Sequence, residues 1–142
     1  RALMAETCVD ASFLLKLVLP EEGSDRADAR VSGWIRDGVA LVSPSLWLFE
    51  AHSVLRRKVY RGEATERQGR EAWEKLRGQG VQVVHPSDLF ERAWRLAVRL
   101  RRPTTYDSMY LATAEARGCE FWTADTRLAG AVGTKLPWVH LL

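Results

Sequence analysis

The chain has 142 residues, of which 46% are hydrophobic and 27% are charged, the balance of a soluble globular protein rather than of a disordered one. This length suits one hydrophobic core, so we expect a single domain over residues 7–142, with residues 1–6 as an N-terminal extension outside it. The net charge of +3 is compatible with a polyanionic partner, but it is also common in proteins that bind none.

In the first half of the chain, short strands alternate with helices. The predicted elements are a strand over 7–10, a helix over 13–19, a helix over 24–36, a strand over 39–42 and a helix over 46–60. Pro20 stops the first helix because proline cannot continue the hydrogen-bond pattern. Ser24 and Asp25 are suited to cap the second helix, and glycines at 38 and 62 close the second and third.

The second half continues the same alternation. The predicted elements are a helix over 65–76, a strand over 81–84, a helix from 87 to Pro103, a helix from Thr104 or Thr105 to 117, and strands over 119–123 and 138–141. Ser87 is suited to cap the helix that ends at Pro103, in which apolar residues recur by threes and fours. Tryptophans at 34, 73, 94 and 122 lie in apolar patterns and are expected in the core or at an interface.

Strands that alternate with helices predict an α/β fold. We expect three layers, with a central, mostly parallel sheet of about five strands between helices on both faces. In such sheets, ligands bind in the crevice beyond the carboxyl ends of the strands. Polar residues at those ends are therefore the first candidates for a functional site.

Two aspartates lie at predicted carboxyl ends of strands. Asp10 ends the first strand and Asp125 directly follows the fourth, so both carboxylates should emerge at the same edge of a parallel sheet. Each also has an ordinary structural interpretation, because aspartate at a strand end often caps the following helix. The pair together indicates function more strongly than either residue alone.

Two further acids lie early in predicted helices. Helical spacing places Asp107 on the same side as Tyr110 and Leu111, a stripe that should face the sheet, where an unpaired charge is costly. Its alternative role is a first-turn charge that favours the helix dipole. Glu50 likewise lies early in its helix, next to apolar residues. If it has no functional role, it is a solvated glutamate or one paired with an arginine.

Four like charges at one edge would repel each other, which either raised pKa values or bound cations can remedy. A hard divalent cation such as Mg²⁺ or Mn²⁺ is the simpler remedy, because these ions prefer oxygen ligands. A zinc site is not expected, since the three histidines are scattered. Cys8 and Cys119 lie in apolar segments and are typical of small buried hydrophobic residues.

Four blocks of the sequence together resemble the conserved blocks of PIN-domain nucleases. The blocks are Val9-Asp10-Ala11-Ser12, Glu50 with Val54-Leu55-Arg56-Arg57, Tyr106-Asp107-Ser108 with Tyr110-Leu111-Ala112, and Thr123-Ala124-Asp125 with Leu128. Their order and spacing agree from about Cys8 to the C-terminus. The subgroup that the chain resembles most is the VapC-type toxins of bacterial and archaeal toxin–antitoxin pairs.

The resemblance implies an endoribonuclease that depends on one or two Mg²⁺ or Mn²⁺ ions, forms a homodimer and is inhibited by a small cognate antitoxin. Carried over residue by residue, the family's acidic quartet of metal-holding and catalytic residues matches Asp10, Glu50, Asp107 and Asp125. Ser12 and Thr123 match hydroxyl positions beside the quartet, although helix-capping or turn hydroxyls are an equal alternative for them. Ser53 and Ser108-Met109 depart from the family pattern. These departures affect the hydrogen bonds that orient the metal-holding residues and remove none of those residues.

Single-stranded RNA is the substrate class that the resemblance implies, and basic residues would contact its backbone. The candidates are Arg56, Arg57, Lys58, Arg99, Arg101 and Arg102, although for any one of them a solvated helix face is the somewhat better interpretation. An alternative to catalysis is a PIN-like module that only binds nucleic acid or protein. A phosphatase with a second aspartate two positions after the first is disfavoured, because Ser12 stands there.

No stretch of the sequence suits a membrane span or an export signal. The longest apolar stretches, such as residues 13–19, fall far short of the roughly 20 residues that cross a bilayer. No basic segment followed by an apolar stretch and a cleavage site opens the chain. We therefore expect a cytoplasmic protein without a membrane partner.

Overall fold

A computed structural model describes residues 5–142 of the chain. The strands are β1 (Glu6–Val9), β2 (Ala40–Ser43), β3 (Gln82–Val83), β4 (Glu120–Thr123) and β5 (Val139–Leu141). The helices are α1 (Ala11–Leu15), α2 (Ser24–Arg36), α3 (Leu46–Tyr60), α4 (Glu66–Arg77), α5 (Leu89–Arg99), α6 (Tyr106–Arg117) and α7 (Thr126–Val132). Most of the predicted N-terminal extension lies outside the described residues, and β1 begins at Glu6.

The five strands form one sheet in the order β3-β2-β1-β4-β5, with every neighbouring pair parallel. β1 lies at the centre, where Cys8 pairs with Val42 on one side and with Phe121 on the other. Residues of β1 and β2 are buried, as expected for central strands covered on both faces. This confirms the predicted α/β fold with a parallel sheet.

Successive residues of β4 show that helices cover both faces of the sheet. Phe121 stacks on Tyr110 of α6, with ring centroids 6.2 Å apart. Trp122, which points to the opposite face because side chains alternate along a strand, meets Trp34 of α2 at 5.9 Å. The sheet is therefore the middle of three layers, as predicted.

Local signals in the sequence account for most of the helix boundaries. Thr65 and Gln68 form a reciprocal capping box at the start of α4. Gly118, in the left-handed conformation with φ +63°, ends α6. The predicted helix over 46–60 coincides with α3.

The end of α5 departs from these preferences. The backbone N–H of Arg102 donates to the carbonyl of Ala97 (2.8 Å), and that of Arg101 donates to the carbonyl of Val98 (3.2 Å). This is the Schellman arrangement, whose left-handed residue is usually glycine. Here Arg101 occupies that position with φ +54°, and among the described residues it is the only one other than glycine with a positive φ.

The structure corrects five details of the predicted elements. Neither Ser24 nor Asp25 caps α2, whose N-cap is Gly23 without a side-chain cap bond. The helix predicted over 13–19 is shorter and starts earlier, because residues 16–18 continue as turns with i→i−3 hydrogen bonds. The strand predicted over 81–84 shrinks to two paired residues at the sheet edge. Ser87 does not cap α5, whose N-cap is Asp88. α7 was not predicted, although Asp125 caps it.

The core contains the expected central strands and helix faces, with one exception among the tryptophans. Trp34 is buried, whereas the side chain of Trp94 on α5 is 65% exposed and so does not belong to the core. None of the helices within residues 5–142 combines the length and the apolar character that crossing a membrane requires.

Candidate functional site

Asp10 lies between β1 and α1 and is both a helix cap and a buried acid. Its Oδ1 accepts a hydrogen bond from the backbone N–H of Phe13 (2.9 Å), which caps α1. The same oxygen accepts from the Ser12 hydroxyl (2.6 Å), and Oδ2 accepts from the Thr123 hydroxyl (2.5 Å). With the residue only 5% exposed, these bonds replace the water that a carboxylate normally keeps.

The two hydroxyls beside Asp10 are oriented by the backbone of the loop after β4. The N–H of Ala124 donates to Ser12 Oγ (3.0 Å), and the N–H of Asp125 donates to Thr123 Oγ1 (3.0 Å). Because an ionised carboxylate can only accept hydrogen bonds, both hydroxyls donate to Asp10, and the two hydroxyl oxygens lie 3.2 Å from each other. Ser12 and Thr123 therefore donate to Asp10, and Thr123 is a turn hydroxyl as well, because it accepts from the backbone N–H two residues later.

Burial changes the acidity of Asp10. Removal from water raises the pKa of this carboxyl to about 6, and the charge of Asp125 acts in the same direction. The hydrogen bonds from Ser12, Thr123 and Phe13 lower the pKa, but they only partly offset the effect of burial. The charged form of Asp10 is thus held at a free-energy cost that a cation would relieve.

Asp125 lies at the carboxyl end of β4 and caps α7. Its Oδ1 accepts from the N–H groups of Arg127 (2.9 Å) and Leu128 (3.3 Å). Its side chain is 30% exposed, whereas Asp10 is only 5% exposed and so lies deeper in the protein. The capping interpretation is therefore confirmed for this residue, and its role at a functional site stays a prediction.

Glu50 on α3 and Asp107 on α6 each have one partner. Glu50 Oε1 accepts a short hydrogen bond from the hydroxyl of the buried Tyr110 (2.5 Å). Partial burial raises the pKa of Glu50, and the charges of Asp107 and Asp125 raise it further. Asp107 Oδ2 pairs with the guanidinium of Arg102 at 3.1 Å.

The structure brings the acidic quartet to one edge of the sheet. Asp125 acts electrostatically on both Asp10 and Glu50, and Asp107 acts on Glu50, so the four charges share one field. Among residues 5–142, however, no three His, Cys, Asp or Glu side chains stand close enough together to ligate one ion as they are. Any shared ion would therefore require side-chain adjustment.

The donor set fits a hard divalent cation by its chemistry. Its members are the oxygens of four carboxyl groups, and two of these groups, Asp10 and Glu50, have a raised pKa chiefly because burial removes them from water. Asp107 and Glu50 are the two whose side chains are held by Arg102 and Tyr110. Asp10 and Asp125 are held as well, by the hydrogen bonds described above, so a ligand shell would require some of these contacts to change.

Sequence reasoning missed two partners of the quartet. Tyr110 was assigned only to the apolar stripe of α6, and Arg102 only to a possible contact with a nucleic-acid backbone. Tyr110 lies three residues after Asp107, so both occupy one helix face, and this spacing was a usable signal. The pairing of Arg102 with Asp107 depends on the turn at the end of α5, which the sequence does not reveal.

The fold is a parallel sheet in the order 3-2-1-4-5, with Asp10 and Asp125 following the carboxyl ends of the neighbouring strands β1 and β4. The PIN domain family matches residues 7–132, so the chain belongs to that family. Ribonuclease VapC9 of Mycobacterium tuberculosis is 34% identical to it over 122 residues, which cover 78% of this chain and 91% of VapC9.

Solved structures agree with this assignment. PAE2754 from Pyrobaculum aerophilum matches with a TM-score of 0.66 and 25% identity, covering 91% of this chain and 87% of that one. A toxin–antitoxin complex from Klebsiella pneumoniae contains a chain that matches with a TM-score of 0.62 and 17% identity, covering 94% of this chain and 95% of that chain. The second likeness concerns the fold alone.

Proposed function

We propose that the chain is a metal-dependent endoribonuclease that hydrolyses phosphodiester bonds in RNA, and that it is the toxin of a toxin–antitoxin pair. The observation that carries this proposal is the buried carboxylate of Asp10, with three further acids around the same crevice. The 34% identity of the chain to a VapC ribonuclease supports RNA as the substrate class.

In this proposal the acidic quartet holds one or two Mg²⁺ or Mn²⁺ ions, which would activate water and offset charge on the scissile phosphate. Asp10 is the central ligand, and Ser12 and Thr123 orient its two oxygens by hydrogen bonds. Tyr110 positions Glu50. Asp107 and Asp125, whose side chains are 34% and 30% exposed, are better placed than the buried Asp10 to meet substrate.

The direct test is incubation of the protein with single-stranded RNA, with and without Mg²⁺ or Mn²⁺, beside the variant Asp10→Asn. We expect cleavage that requires the metal and falls at least 100-fold in the variant, because a neutral amide is a poor ligand for a hard cation. Cleavage without metal, or cleavage that the substitution leaves intact, would contradict the assignment.

A module that binds without cleaving is the second candidate. It is favoured by the pairing of Asp107 with Arg102 and by the absence, within the described residues, of three acids already gathered for one ion. The same experiment separates the two, since a binding module would retain RNA or protein binding while showing no metal-dependent cleavage.

Two protein partners belong to the proposal. The likeness to a chain of a toxin–antitoxin complex supports a small antitoxin as one of them. The other is a second copy of the chain, because Phe90, Trp94 and Val98 form an exposed apolar stripe along α5, each at least 65% exposed. Soluble monomers rarely expose such stripes.

A further inference from the structure

The turn at the end of α5 places Arg102 beside Asp107. The Schellman hydrogen bonds to Ala97 and Val98 fix the backbone of Arg101 and Arg102, and Pro103 follows immediately. Arg101 keeps the left-handed conformation that normally selects glycine, so the chain retains an arginine at an unfavourable position. Backbone strain of this kind often accompanies function.

At the end of this turn, Arg102 meets one acid of the quartet. Its Nη2 lies 3.1 Å from Asp107 Oδ2, and the two side chains are only 28% and 34% exposed. Partial burial reduces screening by water and salt, so the pair is stronger than an ion pair on the open surface. Arg102 thus already supplies a positive charge to the quartet.

The neighbouring arginines are placed differently. Arg99 donates to the backbone carbonyl of Lys135 (3.1 Å), and Arg127 lies 4.0 Å from Asp125 with a side chain that is 92% exposed. Arg101 is exposed and forms no ion pair within residues 5–142. Arg102 is therefore the cation most closely engaged with the quartet.

We propose that Arg102 is a phosphate-binding residue. It pairs with Asp107 in the absence of metal, and it binds a phosphate of the RNA backbone once a divalent ion has replaced it at Asp107. This inference rests on the proposed nuclease function. One cation neutralises Asp107 before the exchange and another does so after it. The planar guanidinium released in this way has the geometry to bind two oxygens of a phosphate.

The exchange predicts effects of opposite sign in two measurements. Without RNA, Arg102→Gln should bind Mn²⁺ about tenfold more tightly than the wild type. That factor corresponds to removing one positive charge about 6 Å from a doubly charged ion at an effective dielectric constant of about 80. Isothermal titration calorimetry and the Mn²⁺ electron paramagnetic resonance signal measure this affinity. The matched control, Arg101→Gln, removes the same charge one residue away and should change it by less than about twofold.

With saturating Mn²⁺ and single-stranded RNA, the same variant should be worse than the wild type. We expect a lower kcat/KM, and the slope of its logarithm against the logarithm of salt concentration should become shallower by about 0.7, the change for one lost phosphate contact. Arg102→Lys keeps the charge and should restore most of the salt slope. Melting temperatures of all variants show whether each is folded.

Tighter Mn²⁺ binding together with a shallower salt slope supports the exchange. The exchange is refuted if Arg102→Gln binds Mn²⁺ no more tightly than Arg101→Gln does, or more weakly than the wild type does. An unchanged salt slope also refutes it. If the wild type binds no Mn²⁺, the metal role in the proposed function fails as well. If the wild type binds Mn²⁺ and cleaves RNA, only the role of Arg102 is refuted.

Discussion

Burial raises the pKa of Asp10 to about 6 from the ordinary aspartate value of 3.8, so this carboxyl binds its proton more tightly in the folded protein than in the unfolded chain. Folding is therefore unaffected by this group below about pH 4. Above about pH 6 it opposes folding in full, by about 3 kcal/mol without metal. The contribution becomes unfavourable as pH rises between those values.

From this we expect metal-free Asp10→Asn to be more stable than the wild type by about 1–3 kcal/mol at pH 7 and nearly equal to it at pH 4. Urea denaturation in chelator-treated buffers at several pH values measures the difference. Asp37→Asn, at a side chain that is 65% exposed, is the control and should show no such trend. A stability difference that stayed constant with pH would contradict the role of burial.

Thr123 opposes this effect, because its hydroxyl donates to Asp10 and lowers the pKa of that carboxyl. Thr123→Val removes the donor at nearly constant shape. The pH of half-maximal RNA cleavage should then move upward by about one unit, the size of a charge-assisted hydrogen bond. Thr113→Val is matched to it, since Thr113 is also fully buried but donates to the Met109 carbonyl within α6. An equal pH shift in both variants would exclude a specific effect of Thr123.

Among the helices, α5 carries a local conflict between sequence and backbone at Arg101. Arg101→Gly should stabilise the protein by about 1 kcal/mol, because glycine adopts a positive φ without steric cost. Arg99→Gly lies two residues earlier, within the helix, and should destabilise by about the same amount. Thermal or urea denaturation gives both values. The same sign of effect at both positions would show that Arg101 is not strained.

Close packing of α3 against α4 depends on Gly69. A Cβ atom at this position would lie 2.6 Å from Cγ2 of Val59, so Gly69→Ala forces the helices apart. We expect a loss of about 1–3 kcal/mol in the free energy of unfolding, even though alanine favours helices. In Gly130→Ala on α7, a Cβ meets no atom within 4 Å, and this control should gain up to about 1 kcal/mol. A gain in both variants would refute the close contact.

Elements that local residue patterns specify were predicted correctly from the sequence, whereas elements that depend on packing against distant strands were not. α3 and the end of α6 were predicted because periodic apolar residues and glycine stops act within the helix itself. α7 and the two-residue β3 were not predicted correctly, because they depend on packing against distant strands. At the site, strand ends located Asp10 and Asp125. Arg102 was missed as a partner of Asp107, because a Schellman turn without glycine leaves no signal in the sequence.

At the scale of the whole molecule, the exposed stripe on α5 is expected to pair two copies of the chain. Trp94→Asp places a charge at the centre of that stripe and should convert a dimer to a monomer, as measured by light scattering at several concentrations. Ile35→Asp is the control, since Ile35 on α2 is 73% exposed but lies outside the stripe. A wild type that remains monomeric at all concentrations would remove the dimer proposal.

The order of the strands has a further consequence for how this domain can change. The chain adds β2 and β3 on one side of β1, then returns to add β4 and β5 on the other. The direction of winding thus reverses between β1 and β4, and connections that leave in opposite directions keep a crevice open between these two strands. A descendant that lost all four acids would still have an opening there, available for a new ligand.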